Sequence, residues 1–210
     1  MKIAVIGSGN VGGALGTGWA KKGHSVVFGV RDKNDEKLQS LLKKAGPNAQ
    51  AASVQEAAAF AEVVVFATPW PATQDAIRSA GDLKGKIVFD CSNPVKPDLS
   101  ALQLGHTTSA AEQVANWASG AKVVKIFNTT GAGNMANARY PDGPPAMFYC
   151  GDDAGAKKAG AQLASDLGFE PIDTGGITSA RLLEPLAMLW IRLALAQGMG
   201  PNIAFRIIRR

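Results

Sequence analysis

Gly7-Ser-Gly9-Asn-Val-Gly12 sets three glycines at the spacing G-x-G-x-x-G, after the β-rich run 2–6 and before a stretch of helical periodicity. Strand, glycine turn and helix in that order form the context in which the pattern signals dinucleotide binding. Gly7 permits the tight turn, Gly9 lets backbone approach a pyrophosphate, and Gly12 lets the helix pack closely on the strand. The phosphates then lie against free amides at the positive end of the helix dipole. Gly13, Gly16 and Gly18 are expected only to thin that helix against the sheet.

The end of the second strand selects the dinucleotide, since an acid there binds a free ribose and an Arg accommodates a 2′-phosphate. The segment reads Phe28-Gly-Val-Arg31-Asp-Lys33. Counting about 20 residues from Gly12 reaches Asp32, which favours NAD. If the strand ends at Val30, Arg31 is the first polar side chain at the ribose with Lys33 near it. Asp32 then caps the next helix. The strand itself holds no acid, so NADP is the favoured reading.

Three further loops leave the carboxyl ends of strands, where ligands of such sheets bind. They are Thr68-Pro69-Trp70, Cys91-Ser92-Asn93-Pro94 and Asn128-Thr129-Thr130-Gly131. Together they offer a polar rim for ribose, carboxamide and a second substrate. A carbonyl reductase also needs a proton donor in reach. His24 precedes the second strand at the wrong edge, and His106 lies in a loop before a helix. Lys125 and Asn128 form a K-x-x-N pair, but side chains three apart on a strand face opposite ways. Cys91 has no neighbour in sequence to make it a thiolate. No catalytic residue and no metal ligand is assigned, and this pattern suits an acceptor that is itself a redox ring, which needs mainly positioning.

The elements that must position these loops alternate as β and α. Strands are expected at 2–6, 25–30, 49–52, 63–67, 87–90 and 123–127, with helices at 11–22 and 34–44. Ser53-Val-Gln-Glu56 and Ser109-Ala-Ala-Glu112 each open a further helix as capping boxes. The pattern predicts an α/β fold: a Rossmann doubly wound, mostly parallel sheet of order 3-2-1-4-5-6 with a small C-terminal α/β lobe. Residues 1–127 form the dinucleotide-binding domain and 128–210 a lobe for acceptor binding and dimerisation. The lobe holds strands at 146–150 and 169–173, a helix at 154–167 that Asp152 and Asp153 cap, and a long final helix. Leu182, Leu186, Leu189 and Leu193 make a stripe on that helix, for the core or a dimer contact. Arg181 and Glu184 are expected to pair one turn apart.

The chain has 210 residues, of which 46% are hydrophobic and 19% charged, so it is globular and neither disordered nor coiled coil. A net charge of +5 suits an anionic ligand, but the basic residues are scattered and no block of them argues for nucleic acid. Cys91 and Cys150 are the two cysteines, so no disulfide framework is implied and a reducing cytoplasmic location is expected. The segment 182–196 contains Glu184, Pro185 and Arg192 and is no membrane span.

The chain resembles the coenzyme F420-dependent NADP oxidoreductases. The likeness runs nearly end to end: Gly7 to Gly12, Gly29-Val-Arg31, Thr68-Pro-Trp70, Asp90-Cys-Ser-Asn-Pro94, Phe127 to Asn137, Cys150-Gly-Asp-Asp153, Ala180-Arg-Leu-Leu-Glu184 and Gly198-Met-Gly200. The resemblance implies a homodimer that passes hydride reversibly between nicotinamide C4 and deazaflavin C5. It places Gly9, Asn10 and Val11 at the pyrophosphate and Arg31 at the 2′-phosphate. It sets Thr68 to Trp70 beside the nicotinamide, with Asn93, Pro94 and Asn128 to Gly131 toward the acceptor. Two departures stand out. Val30 replaces the serine that archetypal members carry, and Cys-Ser-Asn-Pro and Asn-Thr-Thr-Gly replace more apolar acceptor loops. Related metalloreductases of animal membranes pass hydride to a flavin, so FMN or FAD stands beside F420 as second substrate. Reduction of a small carbonyl or imine, and a non-catalytic NADPH-binding redox sensor, are the alternatives.

Overall fold

The computed structural model describes residues 1–210. Eight strands form one sheet in the order β3-β2-β1-β4-β5-β6-β7-β8. They are β1 (Lys2–Ile6), β2 (Ser25–Gly29), β3 (Ala49–Ala52), β4 (Val63–Phe66), β5 (Ile87–Asp90), β6 (Lys122–Lys125), β7 (Ala146–Gly151) and β8 (Glu170–Asp173). The first six run parallel in the doubly wound order expected from the sequence. β7 then joins β6 antiparallel, and β8 joins β7 parallel, so residues beyond 127 extend the same sheet. Ile3–Ile6 and Val63–Phe66 are buried on both faces, which is why they read as unbroken apolar runs without alternation.

Helices cover both faces. On one side lie α1 (Asn10–Lys21), α2 (Glu36–Ala45), α6 (Ala132–Ala136) and α7 (Ala154–Asp166), through Leu15, Trp19, Leu38, Met135 and Leu163. On the other lie α3 (Val54–Phe60), α4 (Trp70–Ala80) and α5 (Ala110–Trp117), through Ala57, Ile77 and Val114. The last helix, α8 (Ala180–Ile191), packs Ala180 and Leu183 against Ala111 of α5 and Cys150 of β7. It runs on into a wider π turn at Arg192–Ala196.

Several local expectations change. β4 ends at Phe66 and α4 begins at Trp70 immediately after Pro69, so the loop behind β4 is shifted back by one residue and Trp70 belongs to the helix. Asp35, not Asp32, caps α2, accepting from Lys37 N–H and Leu38 N–H, while Asp32 accepts only from Asn34 N–H. Among the helical glycines Gly16 packs on Phe28 of the sheet, but Gly13 faces Leu41 and Gly18 faces Leu167. Asp153 caps α7 as expected; Asp152 instead accepts from Ile177 N–H. On α8 the inward face is Leu183, Ala187 and Trp190, whereas Leu182 is 71% and Leu189 48% exposed. The expected pairing of Arg181 with Glu184 does not form, because each finds a partner on another element.

Candidate functional site

The three motif glycines do three different jobs. Gly7 has φ +104°, and a Cβ there would lie 2.9 Å from Ala67 O, so the turn fits only a glycine. A Cβ at Gly12 would run into the Gly7 carbonyl, which is the close contact of helix on strand. A Cβ at Gly9 would meet nothing within 4 Å. No protein group requires a glycine there, and its open side leaves room for a ligand. Gly9 N-caps α1 without a side-chain bond, so the amides of Asn10 and the partly buried Val11 begin the helix free to face an anion.

A cleft of about 390 Å³ opens between the β1 and β4 ends, where the strand order reverses. Gly7, Ser8 and Gly9 form one wall, Thr68 and Pro69 another, and Arg31 stands at the β2 end with Val30 before it. Asp75 and Ser79 of α4 also line it, and nothing in the local sequence marked them. Thr68 Oγ1 lies 3.0 Å from Thr73 Oγ1, which anchors the loop to α4. Trp70 stacks its ring on Trp117, centroids 5.2 Å apart. Lys33 does not line the cleft; it pairs with Glu56 at 3.6 Å in solvent. Glu56 is held below its ordinary carboxylate range by the Ser53 hydroxyl and amide of the capping box, with the Lys33 charge adding to this.

Behind the other two loops lies a buried ionic cluster. Lys125 ends β6 with its ammonium fully buried, 2.8 Å from Asp90 of β5 and 3.0 Å from Glu184 of α8. It also donates to Ser92 O, which ties the 91–94 loop to β6. The second carboxylate is shared: Glu184 accepts from Ala110 N–H and Ala111 N–H at the start of α5. Burial by itself pushes the Lys125 pKa down, but the two carboxylates outweigh it and hold the group above its ordinary value. Asp90 Oδ1 accepts from both the amide and the hydroxyl of Ser92. Cys91 sits beside this cluster, and burial first, then the Asp90 charge, drives its thiol pKa far up. Burial also raises Cys150, to about 12. Both thiols are held protonated and are poor nucleophiles.

Asn93 and Asn128 join the two loops. Asn93 Nδ2 donates to Asn128 O, and Asn128 Nδ2 donates to Asn93 Oδ1 and to Leu183 O. Both atoms facing Asn128 Nδ2 are acceptors, which assigns its amide orientation. That leaves Asn128 Oδ1 buried with no donor. Lys125 and Asn128 share no hydrogen bond, although each bonds the 91–94 loop, Lys125 at Ser92 O and Asn128 at Asn93. β6 ends at Lys125, and Phe127, at φ +60°, turns the chain before Asn128. Pro94 and Thr129 are buried beside the pair, and Thr130 Oγ1 accepts from Asn134 Nδ2. Gly131 lies under Trp190, whose ring would be 2.5 Å from a Cβ at that position.

The remaining titratable candidates lie elsewhere. His24 joins the N-terminal amine and Asp166, and His106 is exposed at φ +60°. The sequence reading missed Asp90, Lys125 and Glu184 as a unit. The available signal was a charged residue ending each of two buried parallel strands, where an unpaired charge is not tolerated.

A glycine turn between strand and helix at a strand-order reversal, with an arginine just beyond β2, is the arrangement of a Rossmann-class fold. A family model for NADP oxidoreductases, coenzyme F420-dependent, matches residues 2–94. The F420-dependent NADP reductase of Methanothermobacter thermautotrophicus is 30% identical over 207 residues, 92% of this chain and 89% of its own. A crystal structure from Arthrobacter sp. FB24, provisionally described as an F420-dependent NADP reductase, superposes with a TM-score of 0.90 at 36% identity and full coverage of both chains. Metalloreductase STEAP3 of Rattus norvegicus is 33% identical over 191 residues, 90% of this chain, which spans 37% of that relative's length. The chain belongs to the F420-dependent NADP oxidoreductase family. No helix is long and apolar enough to cross a membrane.

Proposed function

We propose that this protein is an oxidoreductase that transfers a hydride between NADP(H) and a deazaflavin or flavin ring. The observation that carries this reading is the buried, unpartnered Asn128 Oδ1 in the Asn93–Asn128 junction, an acceptor waiting for an N–H. A nicotinamide carboxamide or a ring imide supplies such a donor, and leaving a buried acceptor unpaired costs about 1–3 kcal/mol. When bound, the nicotinamide supplies the hydride and the acceptor ring takes it. The chain's own residues bind and orient. Gly9, Asn10 and Val11 receive the pyrophosphate, Arg31 the 2′-phosphate, and Thr68, Pro69 and Trp70 border the nicotinamide half. Cys91, Ser92, Asn93 and Pro94 with Asn128 to Gly131 carry the acceptor side.

The titratable groups nearest those loops are engaged: Lys125 is bound by two carboxylates and a carbonyl, and Cys91 is a buried thiol. That suits hydride transfer between rings better than carbonyl reduction, which needs a proton donor. Residues 128–210 supply the acceptor edge and, through outward Leu182 and Leu189, the contact of a homodimer. The two free thiols fit a reducing cytoplasm.

Stopped-flow absorbance of the purified protein with NADPH tests this, using F420, FMN, FAD and riboflavin as parallel acceptors and NADH as control. Bleaching of F420 alone is the expected outcome. NADPH oxidation with flavins only makes the protein a flavin reductase on this scaffold. If no acceptor reacts while NADPH binds, the reading fails.

A further inference from the structure

Two polar groups left unmet inside the protein sit in one short loop. Asn128 Oδ1 is buried without a donor. Thr130 is buried as well, and its hydroxyl oxygen accepts from Asn134 Nδ2 at 2.8 Å. The direction of that bond is fixed, because the same Nδ2 donates to Ile203 O at 2.7 Å and a carbonyl can only accept. Tyr140 O–H holds the other end of the amide, donating to Asn134 Oδ1 at 2.7 Å. Asn134 is therefore locked at both ends. The Thr130 hydroxyl, its oxygen used as an acceptor, keeps a hydrogen that meets no acceptor in the protein.

An acceptor without a donor thus lies two residues from a donor without an acceptor, and the two do not meet each other. Buried polar groups are rarely left so, and each calls for a partner. Together they complement an amide or imide edge, which offers an N–H and a carbonyl side by side. None of residues 128–131 lines the dinucleotide cleft. Ala132 and Gly133, next in the chain, line a separate groove that begins at Ser8, Gly9 and Asn10. The unmet pair therefore belongs to the acceptor side of the glycine loop. Thr130 also falls within Asn-Thr-Thr-Gly, where this chain departs from the more apolar loops of archetypal members, so the family pattern does not supply it.

We propose that Thr130 is a specificity-determining residue of this chain, which with Asn128 recognises the imide edge of the acceptor ring. Asn128 Oδ1 accepts from the imide N–H, and Thr130 O–H donates to the adjoining carbonyl. Asn134 is the positioning residue: by donating to Thr130 Oγ1 it commits the hydroxyl hydrogen to the ligand. The inference rests on the proposed hydride transfer and adds to it a residue that discriminates among acceptors. Hydride arrives at the ring with its electron pair, and the imide carbonyls share that charge until solvent supplies the proton. A donor fixed on one of those carbonyls is worth more after transfer than before, so it acts on kcat.

The test uses two pairs of acceptors of NADPH hydride: a tail-less deazaflavin and riboflavin, each with its N-methylimide derivative. In the unaltered protein, methylation of the imide should lower kcat/KM about tenfold, since the N–H to Asn128 is lost. Thr130→Val should lower kcat/KM for the unmethylated ring about tenfold, mostly in kcat, and Thr130→Ser should restore it. On the methylated ring Thr130→Val should cost less than about twofold, because two contacts to one edge are coupled. Kd for NADPH, read by tryptophan fluorescence, should not move. The methylation arm needs no variant, so it decides the matter even if Thr130→Val folds poorly. Equal losses on both rings, or none on either, overturn the edge and leave hydride transfer standing. A loss in NADPH affinity instead seats the nicotinamide carboxamide at Thr130 and equally overturns the assignment to the acceptor. If the unaltered protein binds NADPH but reduces none of the four rings, the underlying reading falls and this one falls with it.

Discussion

The glycine loop and the Asp90–Lys125–Glu184 cluster border the same sheet edge but are built in opposite ways. The loop consists of backbone: Gly7, Gly9 and Gly12 fall within six residues, and what matters is where side chains are missing. The cluster consists of side chains from β5, β6 and α8, spread over 95 positions from Asp90 to Glu184, and each charge needs the other two. A backbone site depends on local geometry and tolerates change around it. A buried ionic site depends on every member, because removing one leaves an uncompensated charge in a dry interior. On the proposed reading the glycine loop governs ligand affinity, whereas the cluster holds the 91–94 loop and α5 in place.

That contrast breaks most visibly at Lys125. Lys125→Met strands two buried carboxylates and should cost about 3–5 kcal/mol, a fall of about 6–20 °C in Tm by circular dichroism. The same cluster gives the protein an alkaline limit. Because the folded state holds the Lys125 proton more tightly than the unfolded chain, its contribution is complete below the ordinary value of 10.5 and is lost as pH rises above it. Cys91 and Cys150 are raised as well, so their loss begins above about 9. Urea midpoints should hold near about pH 8 and fall by about pH 11, less steeply in Lys125→Met. An unchanged Tm for that variant would mean that the cluster holds nothing.

Arg31 tests the nucleotide half. Arg31→Ser should weaken NADPH by the worth of a charge-assisted hydrogen bond, about 1.5–3 kcal/mol, or about 10–150-fold in Kd. NADH binding and Tm should not follow. Titration of the intrinsic tryptophan fluorescence reads the Kd, with Lys33→Ala as the control expected to move it by less than about 1 kcal/mol. Equal losses for both nucleotides would remove Arg31 from the 2′-phosphate.

Gly9→Ala and Gly12→Ala sharpen the comparison within the loop itself. Gly12→Ala meets the Gly7 carbonyl and should cost about 1–3 kcal/mol of stability. Gly9→Ala meets no protein atom, so its urea midpoint should stay within about 0.5 kcal/mol of the parent. Its NADPH affinity should nevertheless fall, because the methyl occupies the ligand's approach. Equal destabilisation of the two variants would show that Gly9 is a packing glycine.

The sequence could be read wherever a few neighbouring residues decide the outcome. Five of the six parallel strands followed from β-branched apolar runs, Ser53 and Glu56 formed the capping box that their spacing announces, and the G-x-G-x-x-G turn stands where it was placed. Reading failed where a residue had a choice of partners. Arg181 and Glu184 were one helical turn apart and still went separate ways. Arg181 forms a two-pronged bond with Glu112, while Glu184 sits between Lys125 and the α5 amides. The leucine stripe of α8 was visible as a period, but which side faces inward depended on α5 and β7.

From local order alone came the strands, the glycine turn and the arginine beyond β2, since turn sterics and hydrophobic periodicity act over fewer than about ten residues. Only the tertiary structure decided which charges are buried together and which asparagine oxygen is left without a donor. Those properties depend on distances between elements remote in the chain. In the low dielectric of a packed interior, such distances determine whether a charge is paired, stranded or free to bind.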